Sequence, residues 1–346
     1  MKNLVQKSIL IILLLLTFSV QSQTKNLIVT ARKGDGIYSL LRKHGLNPSK
    51  YYNAFIKLNK KSIGKKNQLF AGRKYKLPID KSSKKTTTKN TKKPKKTNKK
   101  KTIMTYEIFG KKHKDVELVD NKLEGAVYYL VSGHGGPDPG AIDKINGKLI
   151  SEDEYAYDVT LRLARQLIQH GATVYLIVKD KNDGIRDKTL LSLDKDEVVH
   201  PNLKIPLHHG KRLKQRANAV NKLYKKNKPK YQRLIVLHVD SRSKNQNIDV
   251  FFYHYKGSKT GKSLATTLRN TFKKNYKKHQ PKRSYEGTVS TRNLYMVNNT
   301  YPSMVYIELG NIRNARDRKR IINPENREAM AKWIKEGILI DFDKFN

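Results

Sequence analysis

Along residues 104–346, short apolar runs alternate with stretches whose apolar residues recur at helical spacing. Val127–Val131, Thr173–Val178, Leu234–Val239, Ile248–Tyr253 and Met304–Leu309 read as buried or half-buried strands. Tyr155–Gln169, Leu213–Lys225, Gly261–Phe272 and Arg327–Gly337 carry the periodicity of helices that bury one face. Strands alternating with helices predict an α/β domain, a mixed sheet with helices on both faces. Lys181 to Lys211 has no clear period and includes His200, His208 and His209. At that length it is either a functional insertion or a mobile loop.

Residues 26–78 repeat the exercise on a smaller scale. Leu27 to Thr30 reads as a strand and Gly34-Asp35-Gly36 as a turn. Ile37, Leu40 and Leu41 fall at helical spacing, and Gly45 stops that helix. Tyr51 to Leu58 predicts a second helix, and Lys74 to Leu77 a strand closed by Pro78. The expectation is a small β-α-α-β unit. Before it, Lys2 and Lys7 precede an apolar run from Ser8 to Val20, with small or modest side chains at Val20-Gln21-Ser22. That is the layout of a signal peptide over residues 1–22, shorter than the roughly 20 apolar residues that span a bilayer. It predicts export to a periplasm, cell envelope or medium.

Between the units, residues 81–103 are dominated by Lys, with Thr, Ser and Asn and no acidic residue. Such a segment buries nothing and self-repels, so it reads as a disordered tether. It also predicts salt-sensitive adhesion to anionic envelope polymers. The whole chain carries 73 Lys and Arg against 29 Asp and Glu, a formal charge of +44, which demands anionic surroundings. Nucleic acid is not the expected partner, because the basic run lacks interleaved aromatics and the chain is read as exported. There is no cysteine, which excludes disulfides, thiolate metal sites and a cysteine nucleophile.

The residues that carry chemistry stand at strand ends. Gly133-His134-Gly135-Gly136 follows one apolar strand, and His238 lies within another, Leu234 to Asp240. Glu308 sits in Met304–Gly310, where an ionised carboxylate among apolar neighbours is costly without a partner. Glu154 opens a helix, and the same stretch, Ser151 to Glu154, also reads as a capping box. Two imidazoles and one carboxylate make a catalytic zinc site with a position left for water. His134 and His238 with a carboxylate such as Glu154 could make such a site, and Glu308 is the candidate for an unligated general base.

Two resemblances sharpen this. Lys33-Gly34-Asp35, Ile37 to Leu40, Leu58-Asn59, Gly72-Arg73 and Leu77-Pro78 resemble a LysM repeat, a family that binds N-acetylglucosamine-containing glycans such as peptidoglycan. Asp35-Gly36 replaces the usual Asp-Thr, and lysines 60, 61, 65 and 66 depart from the pattern. The large unit resembles the zinc-dependent N-acetylmuramoyl-L-alanine amidases. Gly133 to Gly136 with Asp138-Pro139-Gly140-Ala141 matches the opening motif. Glu154, Arg216 with Val220-Asn221, then His238, and Ile307 to Ile312 with Asn314 follow in the family's order. The resemblance implies His134, Glu154 and His238 as zinc ligands, with Glu152, half a turn away, as the alternative carboxylate, and Glu308 as the catalytic glutamate. It also implies zinc-assisted cleavage between N-acetylmuramic acid and L-alanine, for wall remodelling or cell separation, and a protein activator as a further candidate partner. Val131-Ser132 stands where the family has Asp-Pro, so the support around the zinc ligands must differ here. The competing readings are a zinc peptidase acting on stem peptides and a peptidoglycan-binding protein with a weak or inactive site.

Overall fold

A computed structural model describes residues 27–32, 35–44, 46, 48–64, 67–78, 102–227, 231–242 and 244–345. The expected signal peptide, residues 1–22, and nearly all of the expected Lys-rich tether lie outside the described residues. Contacts divide the chain into two compact units, one within residues 1–93 and one spanning 94–345. Among the described residues no helix is long and apolar enough to cross a membrane.

The small unit runs β1 (Ile28–Thr30), α1 (Ile37–Lys43), α2 (Pro48–Asn59) and β2 (Lys74–Lys76), in the order the hydrophobic pattern predicts. β1 and β2 pair antiparallel. Leu40, Leu41, Phe55, Tyr75 and Leu77 fill the core between helices and strands. The buried Asn59 ends α2 and latches it to β2: its Nδ2 donates to the Lys76 carbonyl and its Oδ1 accepts from the Lys76 amide, both at 2.7 Å. Two strands alone are marginal in water, and the packed helices supply the missing burial.

In the large unit a hairpin of β3 (Ile103–Thr105) and β4 (Asp115–Glu117) precedes β5 (Ala126–Ser132). A second hairpin, β6 (Ile142–Ile145) and β7 (Lys148–Ser151), leads into α3 (Glu152–Gln169). β8 (Thr173–Leu176) follows, then three two-residue strands, β9 (Val178–Lys179), β10 (Val198–Val199) and β11 (Leu203–Lys204), which form their own small sheet. The rest alternates: α4 (His209–Lys226), β12 (Tyr231–Asp240), β13 (Phe251–His254), α5 (Lys259–His279), β14 (Val289–Thr291), α6 (Tyr295–Asn298), β15 (Ser303–Asn311), α7 (Ala315–Ile322) and α8 (Pro324–Phe345).

The central sheet has the order β14-β13-β15-β12-β5-β8. It is mixed, since β13 and β15 are antiparallel while the other neighbours are parallel. Side chains from α3, α5 and α8 cover one face and those from α4 and α6 the other. This explains why β5, β12 and β15 read as continuous apolar runs rather than alternating ones.

Three expectations shift. The run Thr173–Val178 breaks at Ile177, because Val178 pairs with Val199 in the small sheet. β13 starts at Phe251, since Asp249 takes a left-handed conformation (φ 54°) and the Ile248 amide is held by Asp317. Helix α8 runs through Gly337 rather than ending there. The missing side chain lets α8 approach α5, and a Cβ at 337 would stand 2.6 Å from Leu268.

Candidate active site

β5, β12 and β15 end side by side, and each delivers one side chain to the same place. Parallel pairing sets His238 on β12 opposite Glu308 on β15. His134 follows β5 in a left-handed conformation (φ 59°). Gly133 beside it has no room for a side chain, since a Cβ would fall 2.4 Å from the His238 ring. The two imidazoles meet edge to face with centroids 5.0 Å apart, and His238 is stacked on Tyr306 at 4.5 Å.

Glu152, the first residue of α3, joins them. Its Oε1 lies 2.8 Å from His238 Nδ1 and its Oε2 3.4 Å from His134 Nε2. The Val239 and Ala141 amides each donate to it at 3.0 Å. Burial opposes ionisation here, but the bond to His238 and the charge of both imidazoles outweigh it and hold the carboxyl below its usual range. One ligand atom from each of His134, Glu152 and His238 lies within 4.8 Å of the others.

Glu154 is not with them. Successive helical residues turn by about 100°, so two positions separate these carboxylates by about 200° around α3. Glu154 points to the opposite side, where it pairs with Arg186 at 2.7 Å and accepts from the Asp194 amide at 3.1 Å. Burial pushes it up to about 6, against the pull of Arg186. Of the two carboxylates expected as candidates, the fold thus brings Glu152, the alternative, to the imidazoles and sets Glu154 apart from them. The capping box does not form either: the Ser151 hydroxyl makes no cap bond, and Glu154 is engaged by Arg186.

The support behind His134 escaped the sequence. Asp138 accepts from its Nδ1 at 3.0 Å, which turns Nε2 towards Glu152. Arg212 in turn donates to Asp138 at 2.8 Å, and Arg216 donates to the His134 carbonyl. Burial works against a charged His134, yet the bond to Asp138 and the Glu152 charge raise its basicity. Asp138 sits in the quoted opening motif, but only the left-handed turn at 134–136 brings it under the ring.

Glu308 is 5% exposed and bonds to none of the three. Its Oε2 has no hydrogen-bond partner among the described residues, and Arg292 stands 3.6 Å from Oε1. Burial, then the charges of Glu152 and Asp240, push its carboxyl well up, with Arg292 and Arg242 opposing.

The segment 181–211 is tied down. Arg162 reaches Asp187 at 3.0 Å, and Arg327 donates to the carbonyls of Arg186 and Lys188, each at 2.8 Å. Glu197 accepts from the Gly136 amide, and burial pushes it up to about 7. His208 caps α4 by accepting from the Lys211 amide. His200, His208 and His209 join none of the metal-capable groups among the described residues.

Converging strand ends, an imidazole pair bridged by a carboxylate, and a second carboxylate with one oxygen unpartnered among the described residues are the makings of a hydrolytic site. The chain belongs to the N-acetylmuramoyl-L-alanine amidase family, whose model matches residues 129–339. It is an enzyme of that class, acting on peptidoglycan. Among solved structures it is similar to the CwlD amidase from Clostridioides difficile in complex with the GerS lipoprotein: 21% identity over 62% of this chain and 97% of that one, TM-score 0.46. It is similar to the amidase AmiC2 of Nostoc punctiforme at 21% identity over 64% and 97%, TM-score 0.44. An N-acetylmuramoyl-L-alanine amidase from Clostridium difficile 630 gives 20% over 64% and 100%, TM-score 0.47. A search of curated proteins returned no match.

Proposed function

We propose that this chain is an exported, zinc-dependent amidase that cuts the bond between N-acetylmuramic acid and L-alanine, held to the wall by its small LysM-like unit. The observation that carries the catalytic part is the trio His134, Glu152 and His238 beside the unengaged carboxylate of Glu308. The trio suits zinc. One donor atom from each of the three lies within 4.8 Å of the others, within reach of a single ion, and the donors are imidazole nitrogen and carboxylate oxygen.

Zinc, when bound, supplies Lewis acidity towards the scissile carbonyl and makes water acidic near neutrality. The chain's own residues do the rest. Asp138 fixes the tautomer and direction of His134, and Tyr306 holds the His238 ring flat against β15. Glu308 takes a proton from the attacking water and returns it to the departing nitrogen; its free Oε2 and raised basicity suit both roles. Arg292 and Arg242 keep that carboxylate from being wholly unpaired.

Glu308→Gln tests this reading. It is expected to retain zinc and lose hydrolysis by roughly 10²–10⁴-fold, the range of a positioned acid–base group. Mass spectrometry of the digest is expected to show intact glycan strands and free peptides beginning with L-alanine. Cuts between stem amino acids support the peptidase reading instead, and a zinc-loaded wild type that releases nothing supports the binding-protein reading.

For wall attachment, deleting residues 27–78 is expected to weaken sedimentation with insoluble peptidoglycan and leave hydrolysis of soluble fragments nearly intact. Deleting 81–103 should remove the salt-sensitive part of envelope binding, because exposed charges are screened within about 10 Å at ordinary ionic strength. Equal sedimentation of all three proteins would remove the anchor from this proposal. Wall remodelling or cell separation is the role we assign to such an enzyme.

A further inference from the structure

Arg292 lies just past β14 with its side chain 45% exposed. Its guanidinium covers the Tyr253 ring at 5.4 Å, and its nearest charged neighbour is the Glu308 carboxylate at 3.6 Å. Its guanidinium makes no hydrogen bond among the described residues, so most of a planar fork of donors beside Glu308 is free. Arg242 holds the hydroxyl end of the same residue. It donates to the Tyr253 hydroxyl at 3.2 Å, is held by Asp240 at 2.5 Å, and lies over the Phe251 ring. Both guanidiniums thus meet Tyr253, and Arg292 is the one with donors to spare.

Their place relative to the reaction decides what they meet. Glu308 must deliver its proton to the departing nitrogen, so the peptide that leaves lies on the Glu308 side of the scissile bond. Arg292 therefore borders the leaving peptide rather than the sugar. Glu308, Asp240 and Glu152 would repel a carboxylate arriving there, and a cation with free donors is what offsets that repulsion. Resting on the amidase reading above, we propose that Arg292 is a specificity-determining residue that binds a carboxylate of the peptide released by cleavage, within the first two residues after the cut. Arg242 positions Tyr253 beneath it.

The test separates binding from turnover. Titration calorimetry compares two short peptides beginning with L-alanine whose second residue is a glutamate joined onward through its side-chain carboxyl, its α-carboxyl free in one and amidated in the other. Both have an amidated C-terminus. Zinc-loaded wild type is expected to bind the free acid about tenfold or more tightly, the scale of a charge-assisted pair. Arg292→Ala should erase that preference, Arg292→Lys should restore part of it, and Lys262→Ala on the exposed face of α5 should leave it intact. The proposal falls if wild type does not discriminate. It falls equally if Arg292→Ala weakens both peptides alike, or if Lys262→Ala erases the preference as fully, which would make it a general charge effect. Hydrolysis is read separately. Peptides that bind as described without any cleavage of peptidoglycan would count against the amidase reading and not against this one.

Discussion

A carboxylate at the first position of a helix can be reached by amides that a carboxylate two residues later cannot. Glu152 takes bonds from Val239 and Ala141 and faces two imidazoles, while Glu154 faces Arg186. Zinc content distinguishes their roles. Glu152→Ala is expected to lose most of about one bound zinc per chain, by the three-ligand rule. Glu154→Ala is expected to retain it. The second change instead lowers stability by about 1–3 kcal/mol, because Arg186 loses a buried partner. Metal analysis and thermal unfolding of both variants check the pair; loss of zinc from Glu154→Ala alone would reverse the assignment. His134, His238 and Glu308 were legible because each is a polar residue at the end of an apolar strand. Glu152 was not separable from Glu154, since both lie in one acidic turn and the helix phase that parts them is fixed only by where α3 begins. Arg292 carried no signal, lying in a polar stretch with no period around it.

At the scale of elements, the periodic strands and helices were readable and their edges were not. Val178 leaves the main sheet because Val199, twenty-one positions on, offers a partner, and no local pattern encodes such pairing. Gly337 looked like a stop because glycine commonly ends helices. It is instead a contact point, where α8 lies against Leu268 of α5. Gly337→Ala sets helix propensity, which favours alanine by about 1 kcal/mol, against overpacking that costs about 1–3 kcal/mol. With a Cβ 2.6 Å from a buried leucine and 3.2 Å from its backbone, overpacking should win. A denaturant midpoint below wild type at unchanged slope is the expected outcome, and a higher midpoint would show that the helices move apart freely.

For the whole large unit, the excess of positive charge hides a concentration of buried acids. Asp153, Glu154, Asp180, Asp194 and Glu197 cluster beside the segment 181–211, with Arg186 against Glu154. Burial raises each of them, Asp194 to about 6 and Glu197 to about 7. The unfolded chain ionises Glu197 near its ordinary 4.5, while the folded chain holds the proton until about 7. Its contribution to stability is thus complete below about 4.5 and is lost as pH rises to about 7. For Glu197 alone this amounts to a loss on the order of 3 kcal/mol. Thermal unfolding of the metal-free protein should therefore occur at lower temperature at pH near 8 than near 5.5, and Glu197→Gln should flatten that difference. An unchanged slope in the variant would locate the effect elsewhere.

The contacts of Arg327 bear on the order in which the enzyme becomes dangerous. Its guanidinium, fully buried, bonds to Asp158 on α3 and to the carbonyls of Arg186 and Lys188, the stretch that also holds Glu154. Arg327 lies in the first turn of α8, so it is made after the whole catalytic set from His134 to Glu308. A nascent chain can thus carry every residue the chemistry needs and still lack the clasp that fastens α3 to the segment over it. A chain that stops before α8 is therefore expected to carry every residue of the site and to leave α3 unfastened.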